Sequence, residues 1–310
     1  MLLQQLALLK GFDLAALDPN GAEFVHLVTE CSKLAFADRE AFYGDPAFAA
    51  TPLQMLLSVS YNDKRRAMIS KNASLELRPG LPEVSGPRLQ TMLALSGSAI
   101  PVGPGGGEPT FAPLPEYRGD TVHLDVIDRW GNMIAATPSG GWFQSSPIIP
   151  ALGFPLGTRA QMFWLAEDLP SSLMPGARPR TTLSPTLVER DGGPYLVCGS
   201  PGGDQQDQWT LLLLLRHFHH RLNLQEAIDA PMFNHLHCPA SFTPRLFKPG
   251  ALAIEDRFGA DTLDELARRG HRLSIADGWS LGRLCAASAA DGLVKAAATP
   301  RHMEAYAIGR

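Results

Sequence analysis

The residues in this 310-residue chain best placed to do chemistry begin at Gly119-Asp120-Thr121. A Pro/Gly-rich stretch ends there, and an alternating segment, Thr121–Asp128, begins. A threonine hydroxyl is a weak nucleophile at its free pKa and needs a base. Cutting the peptide bond before it supplies one, because the freed α-amine has a pKa of about 8. A slack stretch before the Asp120–Thr121 bond and a rigid strand after it suit such a cleavage. A threonine that merely starts a strand is the other reading of the same residues.

Two further stretches carry chemistry. Gly199-Ser200-Pro201-Gly202-Gly203 lies between a predicted strand and a predicted helix. Successive glycine N–H groups at a helix start form a cradle for an anion, an oxyanion included. A tight strand–helix turn explains the same residues, and no Lys-Ser/Thr follows, which disfavours a nucleotide loop. Arg178-Pro179-Arg180-Thr181-Thr182-Leu183-Ser184-Pro185-Thr186 sets two vicinal hydroxyls beside two guanidiniums. That set suits a carboxylate, or a solvated turn with capping hydroxyls. His217, His219, His220, His235 and His237 show no HExxH pattern and no acidic partner at ligand spacing. No metal or other cofactor is expected, and these histidines read as surface or core residues.

The elements that must position these residues follow from periodicity and turn signals. Residues 1–97 read as helical: Gly21–Tyr43 has near-helical apolar spacing and is stopped by Gly44-Asp45-Pro46, with shorter helices at Pro52–Leu57 and Asn62–Ser70. Residues 98–120, with Gly103-Pro104-Gly105-Gly106-Gly107, read as a flexible linker. From residue 121 to 310 strands pair as hairpins: Thr121–Asp128 with Met133–Thr137, then Ser184–Glu189 with Pro194–Gly199. A helix from about Asp204 to Arg221, a short one at Gln225–Ala230 and another at Ala260–Arg269 are interleaved with strands at Ala251–Glu255, Arg272–Ile275, Leu284–Ser288 and Leu293–Ala297. Adjacent hairpins with helices between them predict an α+β fold with antiparallel sheet.

Composition excludes several classes. Lys+Arg 27 against Asp+Glu 31 gives a net charge of −4 with no basic run, so nucleic acid is not an expected partner. The four cysteines, Cys31, Cys198, Cys238 and Cys285, are scattered and read as reduced, mostly buried thiols. Met1–Lys10 is apolar but lacks a basic n-region and a cleavage site, and reads as a short amphipathic helix. Leu211–Leu215 is too short to span a bilayer. The expectation is a cytoplasmic protein without a membrane partner.

The three stretches, in this order, resemble γ-glutamyltranspeptidases. The shared patterns are Thr-x-His-x-x-Val-Ile/Val-Asp-x-x-Gly-Asn at Thr121–Asn132, Arg-Pro-x-Thr/Ser-Thr/Ser-x-Ser-Pro-Thr at Arg178–Thr186, and Gly-Ser-Pro-Gly-Gly at Gly199–Gly203. Flanking stretches agree: Ala35–Arg39 with Tyr43–Pro46 looks like the late large subunit, and Asn223–Pro231 like the small subunit. The resemblance implies an N-terminal nucleophile hydrolase with an αββα sandwich, made as one proenzyme and cut at Asp120–Thr121. It implies Thr121 as nucleophile, Gly202 and Gly203 as oxyanion hole, and Thr181, Thr182, Ser139 and Gln161 against a small-molecule amide. The product would be a heterodimer of the cleaved halves.

Three departures from the family pattern matter. Its Gln-Met-Asp-Asp is Gln161-Met162-Phe163-Trp164 here, so the carboxylate that would hold a γ-glutamyl amino group is replaced by Trp164. That implies a substrate other than glutathione and a branch resembling oxamate amidohydrolases or acylases. Its Thr-x-Asn is Ser139-Gly140-Gly141, which keeps only the hydroxyl. The family's long segment ahead of the helical region has no counterpart, so the sandwich is expected to be incomplete at the N-terminus. The alternative is an inactive truncated relative, or a subunit that pairs with a separate N-terminal half.

Overall fold

The computed structural model describes residues 1–97, 121–140, 147–242, 244–303 and 305–310. The expected linker 98–120, Asp120 and Gly141 lie outside the described residues. Its helices are α1 Leu2–Leu9, α2 Ala22–Phe42, α3 Leu53–Leu56, α4 Val59–Arg66, α5 Pro82–Leu95, α6 Gln206–Phe218, α7 Leu224–Asp229 and α8 Ala260–Arg268. Its strands are β1 Leu124–Ile127, β2 Met133–Ala136, β3 Ile148–Ile149, β4 Phe154–Pro155, β5 Thr186–Arg190, β6 Gly193–Gly199, β7 Phe233–His235, β8 Ala251–Glu255, β9 Arg272–Ala276, β10 Cys285–Ala290 and β11 Leu293–Ala298.

Turn chemistry builds the central sheet. Its order is β11-β10-β6-β5, antiparallel throughout. Two of its hairpins close with Asp-Gly pairs at positive φ, Asp191-Gly192 and Asp291-Gly292. Mirror-image turns of this kind match the twist of antiparallel strands. The β1–β2 hairpin lies on one face of β5, β6 and β10, while α6 packs against β6 and α7 against β10 and β11. A third sheet, β7-β8-β9, departs from the expected antiparallel pattern, because β8 and β9 run parallel. The chain between them is α8, and a helical crossover returns a strand in the same direction. The first half of the main core brings α1 and α2 against α6, with Phe24, Val28, Leu34, Leu212 and Leu215 all buried.

Helix α2 is buried nearly all round, polar side chains included. A buried charge must be paired, and these are: Lys33 Nζ lies 2.5 Å from Glu30, Arg65 pairs with Asp38, and Arg39 Nη1 lies 2.6 Å from Asp204. A further buried pair ties β8 to the end of the chain. Arg301 and Glu255 are fully enclosed, 3.2 Å apart, and Arg301 also donates to the carbonyls of Ile228 and Ala230. Burial alone would raise the Glu255 carboxyl, but its bonds to Arg301, then Arg257 and the Leu281 amide, hold it below the ordinary value. Removing one partner of a buried pair costs about 3–5 kcal/mol. Arg301→Ala is expected to lose that much in urea unfolding, and a loss under about 1 kcal/mol would contradict the assignment.

Of the five histidines singled out, His235 and His237 are buried, His217 and His220 are partly buried and His219 is exposed; His271 is buried as well. Burial holds His237 and His271 down to about 3, and drives His235 well below its ordinary value. The folded state therefore refuses protons that the unfolded chain accepts near pH 6.5. Stability is full above that pH and falls as pH drops toward 3. Between pH 7.5 and 5.5 each such histidine removes about 1.4 kcal/mol, so His237 and His271 together remove about 3, with His235 adding in the same direction. Urea titrations at the two pH values test this, and equal midpoints would contradict it. Among the described residues no disulfide forms, and Cys31, Cys198, Cys238 and Cys285 are free thiols. No described helix is long and apolar enough to cross a membrane.

Candidate active site

Strand alternation decides what Thr121 faces. Leu124 pairs with Ala136 and Asp125 with Ala135. The same register, carried outward, sets His123 beside Thr137, and Thr121 beside Ser139. The Val122 amide donates to the Pro138 carbonyl at 3.1 Å, which extends the hairpin past its last strand residue. Side chains two apart share a face. Thr121, His123 and Asp125 therefore point together into the protein, while Val122, Leu124 and Val126 point out and are exposed.

On the inner face a chain of polar contacts forms. The Thr121 Oγ1 and Ser139 Oγ hydroxyls are 2.5 Å apart, and Thr121 is buried. His123 Nδ1 meets Thr137 Oγ1 at 2.7 Å, and its Nε2 meets Asp125 Oδ1 at 3.1 Å. The His123 ring lies against Gly199, where an added Cβ would sit 2.4 Å from ring carbon Cε1. Gly199 ends β6 and leads directly into the Ser200–Gly203 turn. The strand that begins at Thr121 is thus keyed to the strand that ends at the glycine-rich turn.

Gly202 has φ +127° and Gly203 φ +57°. A Cβ on Gly202 would lie 2.5 Å from Trp209 Cζ3, so side-chain space and backbone angle both demand glycine there. Neither amide N–H has an acceptor among the described residues. The next residue, Asp204, anchors the turn: its Oδ1 accepts from Arg39 and from the Ser241 hydroxyl, and its Oδ2 from the Ser241 amide. Burial would raise this carboxyl, but Arg39 and Ser241 outweigh it and keep it below the ordinary value.

The Arg178–Thr186 stretch divides. Arg178 is exposed on one side of a pair with Asp45, whereas Arg180 is buried, lies 2.9 Å from Glu40 and donates to Ser241. Glu40, Arg39, Asp204, Ser241 and Arg180 form one network that ties this stretch to the cradle. Thr182 is buried, and its hydroxyl has no partner among the described residues. Thr181 is exposed, and its hydroxyl caps the Leu183 amide instead. Of the two vicinal threonines, Thr182 faces inward.

Around Gln161 the chain is held by a residue the sequence did not single out. Arg245 donates to the carbonyls of Gln161, Met162 and Phe163, and its guanidinium lies 4.0 Å from the centre of the Trp164 ring. Burial and the neighbouring Arg180 lower the Arg245 pKa to about 10, so it stays cationic at neutral pH. Trp164 is buried with Met92 and Leu169. The position expected to lack an anion is therefore apolar and covered by a cation.

Arg159, also not singled out, reaches the hydroxyl that meets Thr121: its Nη2 donates to Ser139 Oγ. Gly140, at φ +78°, leaves the room beside it, since a Cβ there would approach Thr158 Oγ1 at 2.8 Å and Arg159 Nε at 3.6 Å. Among the described residues two groups have metal-ligand character, His123–Asp125–Cys285 and His26–Glu30–His271. In both, histidine nitrogens already bond within the protein: His123 to Thr137 and Asp125, His26 to His271 and the Ser70 carbonyl.

The model of the family described as gamma-glutamyltranspeptidase matches residues 1–309. Among curated proteins the chain is similar to the glutathione hydrolase proenzyme of Pseudomonas sp. (strain A14), 29% identical over 76% of this chain and 38% of that protein. It is also similar to the acylase ACY 1 proenzyme of Pseudomonas sp. (strain V22), 28% identical over 87% of this chain and 41% of that one. The chain thus spans less than half the length of these relatives. Among solved structures, one of LmbA2991 superposes with a TM-score of 0.88 at 48% identity, covering 100% of this chain and 52% of that chain. A cephalosporin acylase from Bacillus halodurans shares the fold, with a TM-score of 0.73 over 97% of this chain and 47% of that chain, at 23% identity.

Proposed function

The chain belongs to the gamma-glutamyltranspeptidase family, and from that premise we propose that it is an N-terminal nucleophile amide hydrolase or acyltransferase acting through Thr121. The observation that carries this reading is the 2.5 Å contact between the Thr121 and Ser139 hydroxyls at the mouth of the β1–β2 hairpin. Cleavage of the Asp120–Thr121 bond frees the Thr121 amine, which takes the proton from Oγ1 as that oxygen attacks the amide carbonyl. Ser139 holds Oγ1 in place. The Gly202 and Gly203 amides receive the oxyanion, and Thr182 and the Gln161 segment line the substrate. The C–N bond breaks, the amine departs with a proton, and water or an acceptor amine resolves the ester on Thr121.

On this reading residues 1–97 serve as the late part of a large subunit, 98–120 as the connector lost from the nucleophile, and 121–310 as the small subunit. The two halves stay together as a heterodimer. The full αββα sandwich of the class belongs to the same proposal. Glutathione is a disfavoured substrate, since Trp164 beneath Arg245 offers an ammonium group no anion.

One observation favours a second reading, that turnover needs a further segment or partner. Val122, Leu124, Val126 and Ile134 give the outer face of β1–β2 an exposed apolar row, and such faces are normally covered. A strand-bearing partner would complete the sandwich there.

The test is mass spectrometry after mixing with p-nitroanilide amides. The expected result is an acyl adduct on a peptide that begins with Thr121, with p-nitroaniline released. An adduct on another residue, or none with any amide, would contradict the proposal.

A further inference from the structure

The guanidinium of Arg159 is only partly used. One of its nitrogens donates to Ser139 Oγ, and that hydroxyl lies 2.5 Å from Thr121 Oγ1. Its Nε and Nη1 are buried and have no acceptor among the described residues. Among the described residues no carboxylate pairs with it, in contrast to Arg39, Arg178, Arg180 and Arg301, which each have one. The ring of Phe242 lies under the guanidinium, 5.7 Å from centroid to Cζ. A part-buried guanidinium fork with two enclosed, idle N–H donors is unfavourable unless something binds it. The geometry that satisfies such a fork is a planar carboxylate.

The surroundings choose the sign of the ligand. Arg245 covers Trp164 nearby, so the Gln161–Trp164 segment presents cation and apolar surface. Because Arg159 contacts the hydroxyl that touches the nucleophile, a bound carboxylate would sit only a short carbon chain away from a carbonyl at Thr121.

We infer that Arg159 anchors a carboxylate on the acyl part of the substrate, so that the preferred substrates are monoamides of short dicarboxylic acids without an amino group. The inference rests on Thr121 as nucleophile and names the substrate class for it. The reaction is ordinary amide hydrolysis: water adds, the C–N bond breaks, and the products are a dicarboxylate and an amine.

The test compares succinyl-, glutaryl-, pentanoyl- and γ-glutamyl-p-nitroanilide. Hydrogen bonds to a charged group correspond to about 10–100-fold in affinity. The succinyl and glutaryl amides are expected to exceed the neutral pentanoyl amide by that factor in kcat/KM. The γ-glutamyl amide, which adds an ammonium to the glutaryl group, is expected to fall below the glutaryl amide. Arg159→Met should bring the glutaryl-to-pentanoyl ratio near unity, mainly through KM for the glutaryl amide, and Arg159→Lys should keep part of it. An unchanged ratio in Arg159→Met, with both substrates slowed alike, would mean that Arg159 serves the hydroxyl pair and would overturn the inference.

A second arm does not need turnover. Glutarate is expected to raise the melting temperature of the Thr121→Ala protein, pentanoamide is not, and adding Arg159→Met should abolish the glutarate shift. No shift, or one that survives Arg159→Met, would overturn the anchor. A wild-type chain that stays uncut and turns over no amide would sink the nucleophile reading instead, while the glutarate arm still decides the role of Arg159.

Discussion

Thr121→Ala is expected to yield a chain that is never cut before residue 121 and that releases no p-nitroaniline above background. In the proposed mechanism the hydroxyl both attacks its own preceding carbonyl and later attacks substrate, so one substitution would remove both events. Loss of a nucleophile leaves only the catalysis from binding and the oxyanion hole, a drop of about 10³-fold or more in kcat. Thr121→Ser keeps the attacking oxygen, loses the methyl that fixes the rotamer, and should retain part of both activities. The folded state should survive, because the side chain lost is small and its hydrogen-bond partner Ser139 also meets Arg159. Denaturing gels and p-nitroaniline release check the prediction, with thermal unfolding as the control. A Thr121→Ala chain that is cut or active would show that the nucleophile lies elsewhere.

Gly202→Ala carries the second largest expected effect. At φ +127° an L-residue is strained, and the new Cβ would meet the Trp209 ring at 2.5 Å. Relief requires the turn to rotate, which turns the adjoining N–H groups away from the developing oxyanion. Removing one oxyanion donor costs about 10²–10³-fold in kcat. The loss should fall on kcat with KM little changed, since the donors act on the transition state. Gly203→Ala should be milder, because φ +57° lies in the left-handed region, where alanine costs about 1–2 kcal/mol. Steady-state kinetics separates the two outcomes. Equal and small effects at both positions would argue that the turn is a strand–helix connection with no oxyanion to hold.

What the sequence revealed of this site was local in the chain. Period-2 alternation from Thr121 and the glycines after Gly199 are short-range signals, and the two segments they marked meet in the structure, where the His123 ring lies against Gly199; Ser139, which the family resemblance supplied, meets Thr121. Alternation also places His123 and Asp125 on the face of Thr121, a reading open to the sequence but not drawn from it. The vicinal pair Thr181-Thr182 looked equivalent, yet successive side chains leave the backbone on different sides, and only Thr182 is buried.

Contacts set by tertiary folding were not legible. Arg159 projects from a single 3₁₀ turn and Arg245 from an irregular stretch, so no periodicity marks either one. Strand β7 is three residues long, below the length at which alternation can be recognised. The parallel pairing of β8 with β9 depends on how α8 crosses the sheet, which adjacency in the chain does not reveal. Helix α5 starts at Pro82 and contains Pro87, a residue that argues against a helix interior.

The most direct test of Thr121 as a self-generated N-terminal nucleophile is the N-terminal sequence of the purified protein, read with its intact mass. The account predicts two fragments. The smaller begins Thr-Val-His-Leu-Asp and has a mass of about 20 kDa from its residue count. A single uncut chain, or a new end at any residue other than Thr121, would contradict it.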